Sequence, residues 1–250
     1  MDKSRYVANL SYKYQGDWQK IAKAIKANEE VKDHDIQEAY LTIFDEGYPL
    51  AFRKLRYPPW VIFYQGDLKL LDKPKVSIVG SRIIDAYAYE MTISVANYLA
   101  QDHGLVSGLA MGVDALVHQV GLEKSFTIGI IGSGMDHCYP ASNAFLYARM
   151  RQNGLIISEY PHDVKVAKHH FPWRNRLIAA LGERLYVTAA KVKSGTMHTV
   201  NEALELGKEI YCVPYALDNE LGEGCNLLLF QGANIIIREE LGAFFTCKFK

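Results

Sequence analysis

The chain has 250 residues, of which 49% are hydrophobic and 22% are charged, as in an ordinary globular protein. Lys and Arg number 28, Asp and Glu also number 28, and the formal net charge is therefore zero. A neutral chain is not expected to bind nucleic acid over its whole surface, so any anion-binding site must be local.

The cysteines and the N-terminus indicate a reducing compartment. The four cysteines form no CxxC pair, which argues against a disulfide framework and a structural zinc site. They are Cys138, Cys212, Cys225 and Cys247. The opening stretch MDKSRYVANL lacks the apolar core of a signal peptide, and no apolar run is long enough to span a bilayer. We therefore expect a cytoplasmic protein without a membrane segment.

The first third of the chain predicts a small helical part followed by a connection. Residues 1–47 are polar with helical spacing, and WQKIAKAIKA (18–27) places its apolar residues on one face. The lysines of that helix are best interpreted as a solvated face rather than as a DNA-binding face. Residues 48–74 carry YP, YPP and GD around the strand-like WVIFY, which is typical of a connecting segment.

From residue 75 onward, short apolar runs alternate with amphipathic stretches about one helix long. The runs are VSIVG (76–80), GLVSG (104–108), TIGIIG (127–132), GLIISE (154–159), RLYVTAA (184–190), EIYCV (209–213) and NIII (234–237). This alternation predicts an α/β domain over residues 75–250, a Rossmann-like, mostly parallel sheet with helices on both faces. Ligands of such folds lie beyond the carboxyl ends of the strands.

Several predicted strands end in glycine and small polar or basic residues. These loops are Gly80-Ser81-Arg82, Ser107-Gly108, Ser133-Gly134 and Lys193-Ser194-Gly195. Glycine allows close backbone approach, and the following helix N-terminus offers free N–H groups to an anion. A glycine after a strand is more often only a turn, but four such loops at one edge favour a ligand site. Arg82 either contacts the anion or pairs with Asp85 or Asp114.

Other site classes are not supported by the sequence. GSRIIDAY lacks the GxGxxG spacing of a dinucleotide fingerprint, and the chain has no GxxxxGK[ST] loop. His198 and Glu202 could share a helix face, but no third metal ligand is evident. We therefore predict no cofactor, no metal and no catalytic residues.

The stretch FPWRNRLIAALGERLYV (171–187) places Arg174, Asn175 and Arg176 at the start of a predicted helix. Arginines at this point add positive charge where the helix dipole is already positive, so another group must supply negative charge. The surrounding residues 165–193 contain seven Lys or Arg and one acid, Glu183. A structural alternative stays open, in which one arginine bonds the carbonyl groups of strand ends.

An ordered series of motifs resembles the DNA-processing protein A (DprA/Smf) family. The motifs are YPPWVIFYQGD (57–67), GSR (80–82), SGLAMGVDALVH (107–118), TIGIIGSGMDHCYPASN (127–143), SEYP (158–161), FPWRNRLIAAL (171–181), KSGTMHTVNEALELGKEIYCVP (193–214) and GCNLLLFQGA (224–233). Their order along most of the chain is far more specific than any single motif.

The resemblance implies a single-stranded DNA-binding protein that protects DNA, helps load the RecA recombinase in natural transformation, and forms homodimers. It implies no enzymatic activity and carries DNA contact onto the Gly80–Arg82 turn, Ser107-Gly108, Arg174 to Arg176, and the Lys193–Gly195 loop. The negative charge near Arg174 and Arg176 is then a nucleic-acid phosphate. We expect no C-terminal winged helix of the kind that many members carry.

Two other functions remain open. Ser194, Gly195, Thr196 and Glu202 are similar to the loop of lysine-decarboxylase-like phosphoribohydrolases, although the paired glycines of that loop are missing. In a third interpretation the pocket is inactive and a recombinase-binding surface carries the function.

Overall fold

The computed structural model describes residues 1–237, and in this part the chain forms nine strands and nine α-helices. The strands are β1 (Ala39–Thr42), β2 (Val61–Gly66), β3 (Lys75–Gly80), β4 (Gly104–Ser107), β5 (Thr127–Ile131), β6 (Leu155–Ser158), β7 (Leu185–Ala189), β8 (Ile210–Cys212) and β9 (Asn234–Ile235). The helices are α1 (Lys3–Tyr14), α2 (Trp18–Lys26), α3 (Leu50–Arg53), α4 (Ala86–Leu99), α5 (Val113–Lys124), α6 (Ala144–Asn153), α7 (His170–Leu181), α8 (Gly195–Glu205) and α9 (Glu223–Phe230). No helix in this part of the chain combines the length and the apolar character that crossing a bilayer requires.

All nine strands form one sheet in the order β1-β2-β6-β5-β4-β3-β7-β8-β9. The strands from β6 to β9 in that order are parallel to their neighbours, whereas β1 pairs with β2, and β2 with β6, in antiparallel fashion. The parallel strands are almost continuously apolar and buried, as expected when helices cover both faces. The predicted α/β, mostly parallel sheet is confirmed.

Contacts along β3 show that helices lie on both faces of the sheet. The Ser77 hydroxyl donates a hydrogen bond of 2.6 Å to the Ile178 carbonyl oxygen on α7. Gly80, three residues further along the strand, lies against Val113 of α5. Residues three apart in a strand face opposite sides, so α5 and α7 cover different faces.

The N-terminal helices pack on the antiparallel end of the sheet. Asp2 and Asp17 cap α1 and α2 by accepting hydrogen bonds from the backbone N–H groups of Arg5 and Lys20. A hydrophobic cluster joins these helices to β2 and β6. It includes Val7, Leu10, Ile21, Val61, Phe63 and Ile156.

The predicted three-part division, 1–47, 48–74 and 75–250, stays a prediction. The structure adds that residues 39–66 supply two strands to the same sheet as the Rossmann-like part. The last predicted strand, 234–237, is shorter than expected, since β9 covers Asn234–Ile235. Residues 238–250, which include Cys247, lie outside the described residues.

The sheet order reverses direction around β3. From β3 the chain proceeds through β4, β5 and β6 on one side, and it returns to β7, β8 and β9 on the other. The carboxyl ends of these parallel strands therefore lie along one edge, called here the carboxyl edge. In open α/β sheets a ligand binds at this edge, next to the reversal.

Candidate nucleic-acid interface

The first turns of α7 bring together the loops of the carboxyl edge. Pro172 lies in the first turn, where backbone N–H groups have no acceptor within the helix, so it removes no helical hydrogen bond. Beyond it, Arg174, Asn175 and Arg176 are all buried. Each of these three side chains contacts a different part of the surrounding structure.

Arg82, Phe171 and Tyr139 form a layered group at the surface of the carboxyl edge. The guanidinium carbon of Arg82 lies 5.1 Å from the centre of the Phe171 ring. The Tyr139 ring also packs on Phe171, with 5.6 Å between the ring centres and 38° between the ring planes. Arg82 is exposed, Tyr139 is 46% exposed and Phe171 is half-buried. Of the two sequence alternatives for Arg82, the ion pair with Asp85 or Asp114 does not occur among the residues described.

A small cavity of about 30 Å³ opens beneath this group. Its lining consists of Arg82, Gly108, Ala110, Met111, Tyr139, Pro140, Phe171 and Arg174. The volume suits about one water molecule and is far smaller than a nucleobase.

Arg174 belongs to the framework of the site. It is 4% exposed, and its Nη1 donates to the Gly108 carbonyl oxygen at 2.6 Å and to that of Ile130. This is the structural alternative left open from the sequence, since carbonyl groups at the ends of β4 and β5 supply the negative charge that Nη1 meets. Among residues 1–237, the Nε–H group of Arg174 has no hydrogen-bond acceptor.

Arg176 is also held by groups of the protein, and the DNA contact predicted for it stays a prediction. Its Nη2 lies 2.7 Å from Oε1 of Glu159, and both side chains are about 95% buried. The Nε group donates to the Tyr57 carbonyl oxygen at 3.1 Å, and the guanidinium lies 4.1 Å from the centre of the Trp173 ring. A carboxylate therefore neutralises this arginine inside the protein.

Ser107 and Gly108 shape the cavity from below. Ser107 is fully buried, and its hydroxyl donates to the Ile78 carbonyl oxygen at 2.7 Å. A Cβ atom on Gly108 would lie 2.3 Å from Nη1 of Arg174 and 2.6 Å from Oδ2 of Asp114. The glycine is required because an arginine of the protein, and not a ligand, occupies that space.

The Gly80–Arg82 turn is fixed by α5 and by its own side chains. A Cβ atom on Gly80 would lie 2.5 Å from Cγ2 of Val113, so this glycine permits close packing of strand and helix. The Ser81 hydroxyl donates to the Ile83 carbonyl oxygen at 2.5 Å, and the Ser81 carbonyl accepts from Val113 N–H at 3.1 Å. This turn presents Arg82 to the surface.

Asn175 connects α7 to the predicted Lys193–Gly195 loop. Its Nδ2 donates to the Gly195 carbonyl oxygen at 3.3 Å. Lys193 is exposed, and the Ser194 hydroxyl has no hydrogen-bond partner among the described residues. No atom lies within 4 Å of a Cβ placed on Gly195, so the side of this residue is open. The loop thus offers a cation and a helix N-terminus at the same carboxyl edge as Arg82, since β3 and β7 are parallel neighbours.

Buried polar groups hold the loop that follows β4. Leu109 has a φ of 56°, in the left-handed region, and its N–H donates to Nε2 of His118 at 3.3 Å. Asn143 donates through Nδ2 to the carbonyl groups of Leu109 and Ala110 at 3.0 and 2.9 Å. Burial lowers the pKa of His118 to about 3, so the ring is neutral and Nε2 accepts.

Burial also shifts the charged groups beside the cavity. Burial raises the pKa of the Asp114 carboxyl, and the nearby Arg174 guanidinium opposes that shift. Burial lowers the pKa of Arg174, with Asp114 acting in the opposite direction. Each group therefore favours the charged form of the other in a site that disfavours both charges.

Four residues of the site were not predicted from sequence, namely Tyr139, Phe171, Asn143 and His118. The first two are aromatic residues beside prolines, and such residues commonly serve packing alone. His118 lies four residues after Asp114, and that spacing on a helix was the available signal that both face the same loop. Within residues 1–237, no group of three or more His, Cys, Asp or Glu side chains could hold a metal ion.

Sequence and structure comparisons both find similarity to DNA processing proteins of one family. Residues 39–243 match the sequence model of the family described as DNA recombination-mediator protein A. DNA processing protein DprA of Streptococcus pneumoniae is 35% identical over 196 residues, which cover 78% of this chain and 70% of that protein. DprA of Bacillus subtilis is 37% identical over 203 residues, covering 78% of this chain and 67% of that protein.

Two solved structures are similar over most of the chain. The crystal structure of DprA from Streptococcus pneumoniae has a TM-score of 0.82 and 27% identity, and the match covers 94% of this chain and 95% of that chain. DNA processing protein A from Helicobacter pylori, whose structure concerns its single-stranded DNA binding mode, has a TM-score of 0.73 and 36% identity. That match covers 80% of this chain and 92% of the other.

Proposed function

Because this chain belongs to the DNA recombination-mediator protein A family, we propose that it binds single-stranded DNA at the carboxyl edge of its sheet. In this proposal the protein protects the bound strand and helps load a RecA recombinase during recombination or natural transformation. It works as a homodimer in the cytoplasm, without enzymatic activity. The family resemblance implies these partners, and the cysteines and the N-terminus support this compartment.

The observation that carries the DNA site is the layered group of Arg82, Phe171 and Tyr139. An exposed guanidinium suits a phosphate, and the neighbouring rings suit the flat face of a base. In a duplex the base faces are already stacked and paired, whereas a single strand leaves them free. The combination of cation and ring therefore favours single-stranded over double-stranded DNA.

Two further features support the same location. The Nε–H group of Arg174, without an acceptor among the described residues, belongs to a side chain that lines the cavity beneath the rings. A water molecule, or an oxygen atom at the edge of a base, can satisfy such a donor. Lys193 adds a second exposed cation, and Asn175 joins its loop to α7.

The test is a titration of fluorescein-labelled oligonucleotides of about 20 nucleotides, single- and double-stranded, at two salt concentrations. We expect tighter binding of the single strand and weaker binding at the higher salt concentration. Equal affinity for both forms would contradict the single-strand assignment. Light scattering of the same samples reports the dimer, and filament assembly of RecA on protein-coated DNA reports loading.

A phosphoribohydrolase activity is tested separately. The protein, incubated with nucleoside monophosphates, is expected to release no free base, because KSGTMHTVNE (193–202) lacks the paired glycines of the phosphoribohydrolase loop. Chromatography of the reaction mixture detects the base. Release of base that Glu202→Gln abolishes would replace the DNA-binding proposal with an enzymatic one.

A further inference from the structure

The first turn of α6 carries a large apolar side chain that is not buried in the core. Phe145 is 72% exposed, whereas Leu146, Tyr147 and Met150 form the buried face of the same helix. A single exposed apolar side chain is ordinary on a protein surface, so the neighbours of Phe145 decide whether it belongs to a site.

The neighbours of Phe145 anchor this turn to the candidate site. Asn143, two residues earlier, donates to the carbonyl groups of Leu109 and Ala110 beside the cavity. Tyr147, two residues later, donates through its hydroxyl to the Tyr139 carbonyl oxygen at 3.1 Å. Phe145 is therefore held next to the loops that line the cavity.

Arg149 lies one helical turn after Phe145 on the same stripe of α6. Its guanidinium carbon is 5.7 Å from the centre of the Phe145 ring. Among the described residues Arg149 takes part in no ion pair, and the segment from residue 137 to 153 contains no Asp or Glu. The pair thus combines an aromatic ring with an uncompensated positive charge, as the group of Arg82 and Phe171 does.

We propose that Phe145 and Arg149 form a second nucleotide-binding platform, on which another base of the bound single strand stacks while Arg149 contacts its phosphate. The proposal rests on the proposed function and extends it from β3 and α7 to α6. The chemistry of the platform favours a nucleobase over an apolar protein surface, since a cation accompanies the ring and no acid is near in sequence. Stacking of this kind is independent of base sequence.

The experiment compares Phe145→Ala, Phe145→Trp and Arg82→Ala with the unchanged protein. The control is Leu204→Ala, which removes a 55% exposed side chain at the far end of α8. Fluorescence anisotropy measures affinity for two probes of about 20 nucleotides, one of thymidylate and one with the same backbone but abasic sugars. Phe145 is exposed, so its replacement is expected to leave the fold intact.

If bases stack on Phe145, Phe145→Ala weakens thymidylate binding by about tenfold, and Phe145→Trp retains it. The unchanged protein, Phe145→Ala and Phe145→Trp bind the abasic probe with equal affinity. Leu204→Ala binds both probes with the affinity of the unchanged protein. Equal thymidylate affinity of Phe145→Ala and the unchanged protein overturns the platform, even if Arg82→Ala still weakens binding. An equal loss on both probes also overturns it. If the unchanged protein binds neither probe, the proposed function fails together with the platform.

Discussion

Nη1 of Arg174 donates a hydrogen bond of 2.6 Å to the carbonyl oxygen of Gly108, and the same nitrogen is bonded to Ile130. Through this contact the first turns of α7 are attached to the carboxyl ends of β4 and β5. Arg174, one of the arginines for which the sequence predicts DNA contact, is thereby part of the internal support of the site. Arg82 and Phe171 remain at the surface, and in the proposed function they contact the DNA.

The close contact of Gly108 and Arg174 predicts the effect of a single methyl group. We expect Gly108→Ala to lower the free energy of unfolding by about 3 kcal/mol, because the new Cβ displaces a buried guanidinium from its acceptors. Gly195→Ala is the matched control, since a Cβ there meets no atom within 4 Å. Urea unfolding measures the free energy of unfolding of both variants. Equal stability would contradict the prediction and show that the Arg174 guanidinium can shift away from the new Cβ without loss.

Arg82 is expected to contribute to affinity and not to folding. Arg82→Ala should weaken binding of single-stranded DNA by about tenfold and reduce the slope of log affinity against log salt by about 0.7, the value for one lost phosphate contact. Arg184→Ala, at the start of β7 and thus at the opposite edge of the sheet, is the control. A salt titration by anisotropy decides the point, and an unchanged slope for Arg82→Ala would remove this residue from the interface.

The carboxyl edge of the sheet could be located from the sequence, because apolar runs and glycine-rich ends follow directly from strand burial and tight turns. The roles of individual residues could not. A serine or an arginine after a predicted strand looks the same in sequence whether it binds a ligand or another part of the protein. Only the structure shows that Ser107 bonds the Ile78 carbonyl group and that Arg176 pairs with Glu159. Phe145 gave no signal in sequence, since a single exposed ring is recognisable only when its helix face is known.

His118 predicts a pH dependence of stability. Its pKa is lowered to about 3 by burial in the folded chain, whereas the unfolded chain has the ordinary value near 6.5. Below pH 6.5 the unfolded state therefore binds more protons at this residue, and its contribution to stability falls as the pH is lowered towards 3.

His118→Gln isolates this contribution. The variant keeps an acceptor for Leu109 N–H, loses the contact with Thr127, and is expected to be less stable at neutral pH. Its stability should decline less steeply than that of the unchanged protein between about pH 6.5 and pH 4. Urea unfolding at a series of pH values measures both slopes. Parallel slopes would mean that His118 is protonated in the folded state.

The buried pair of Arg176 and Glu159 predicts a strongly non-additive double-mutant cycle. Arg176→Met leaves the Glu159 carboxylate buried without its cation, which costs about 3–5 kcal/mol of unfolding free energy. Glu159→Gln leaves Arg176 with a neutral acceptor at the same place. In the double variant neither charge remains, so we expect part of the loss to be recovered, with a coupling of about 2 kcal/mol. Urea unfolding of the four proteins gives the coupling directly.

The Arg176 variants also test whether this residue contacts DNA. In the folded fraction, affinity for single-stranded DNA should be close to that of the unchanged protein, because Arg176 bonds the carbonyl groups of Tyr57 and Trp173 and does not belong to the layered group of Arg82. Additive losses, or a tenfold loss of affinity in a stable Arg176 variant, would return this arginine to the DNA interface.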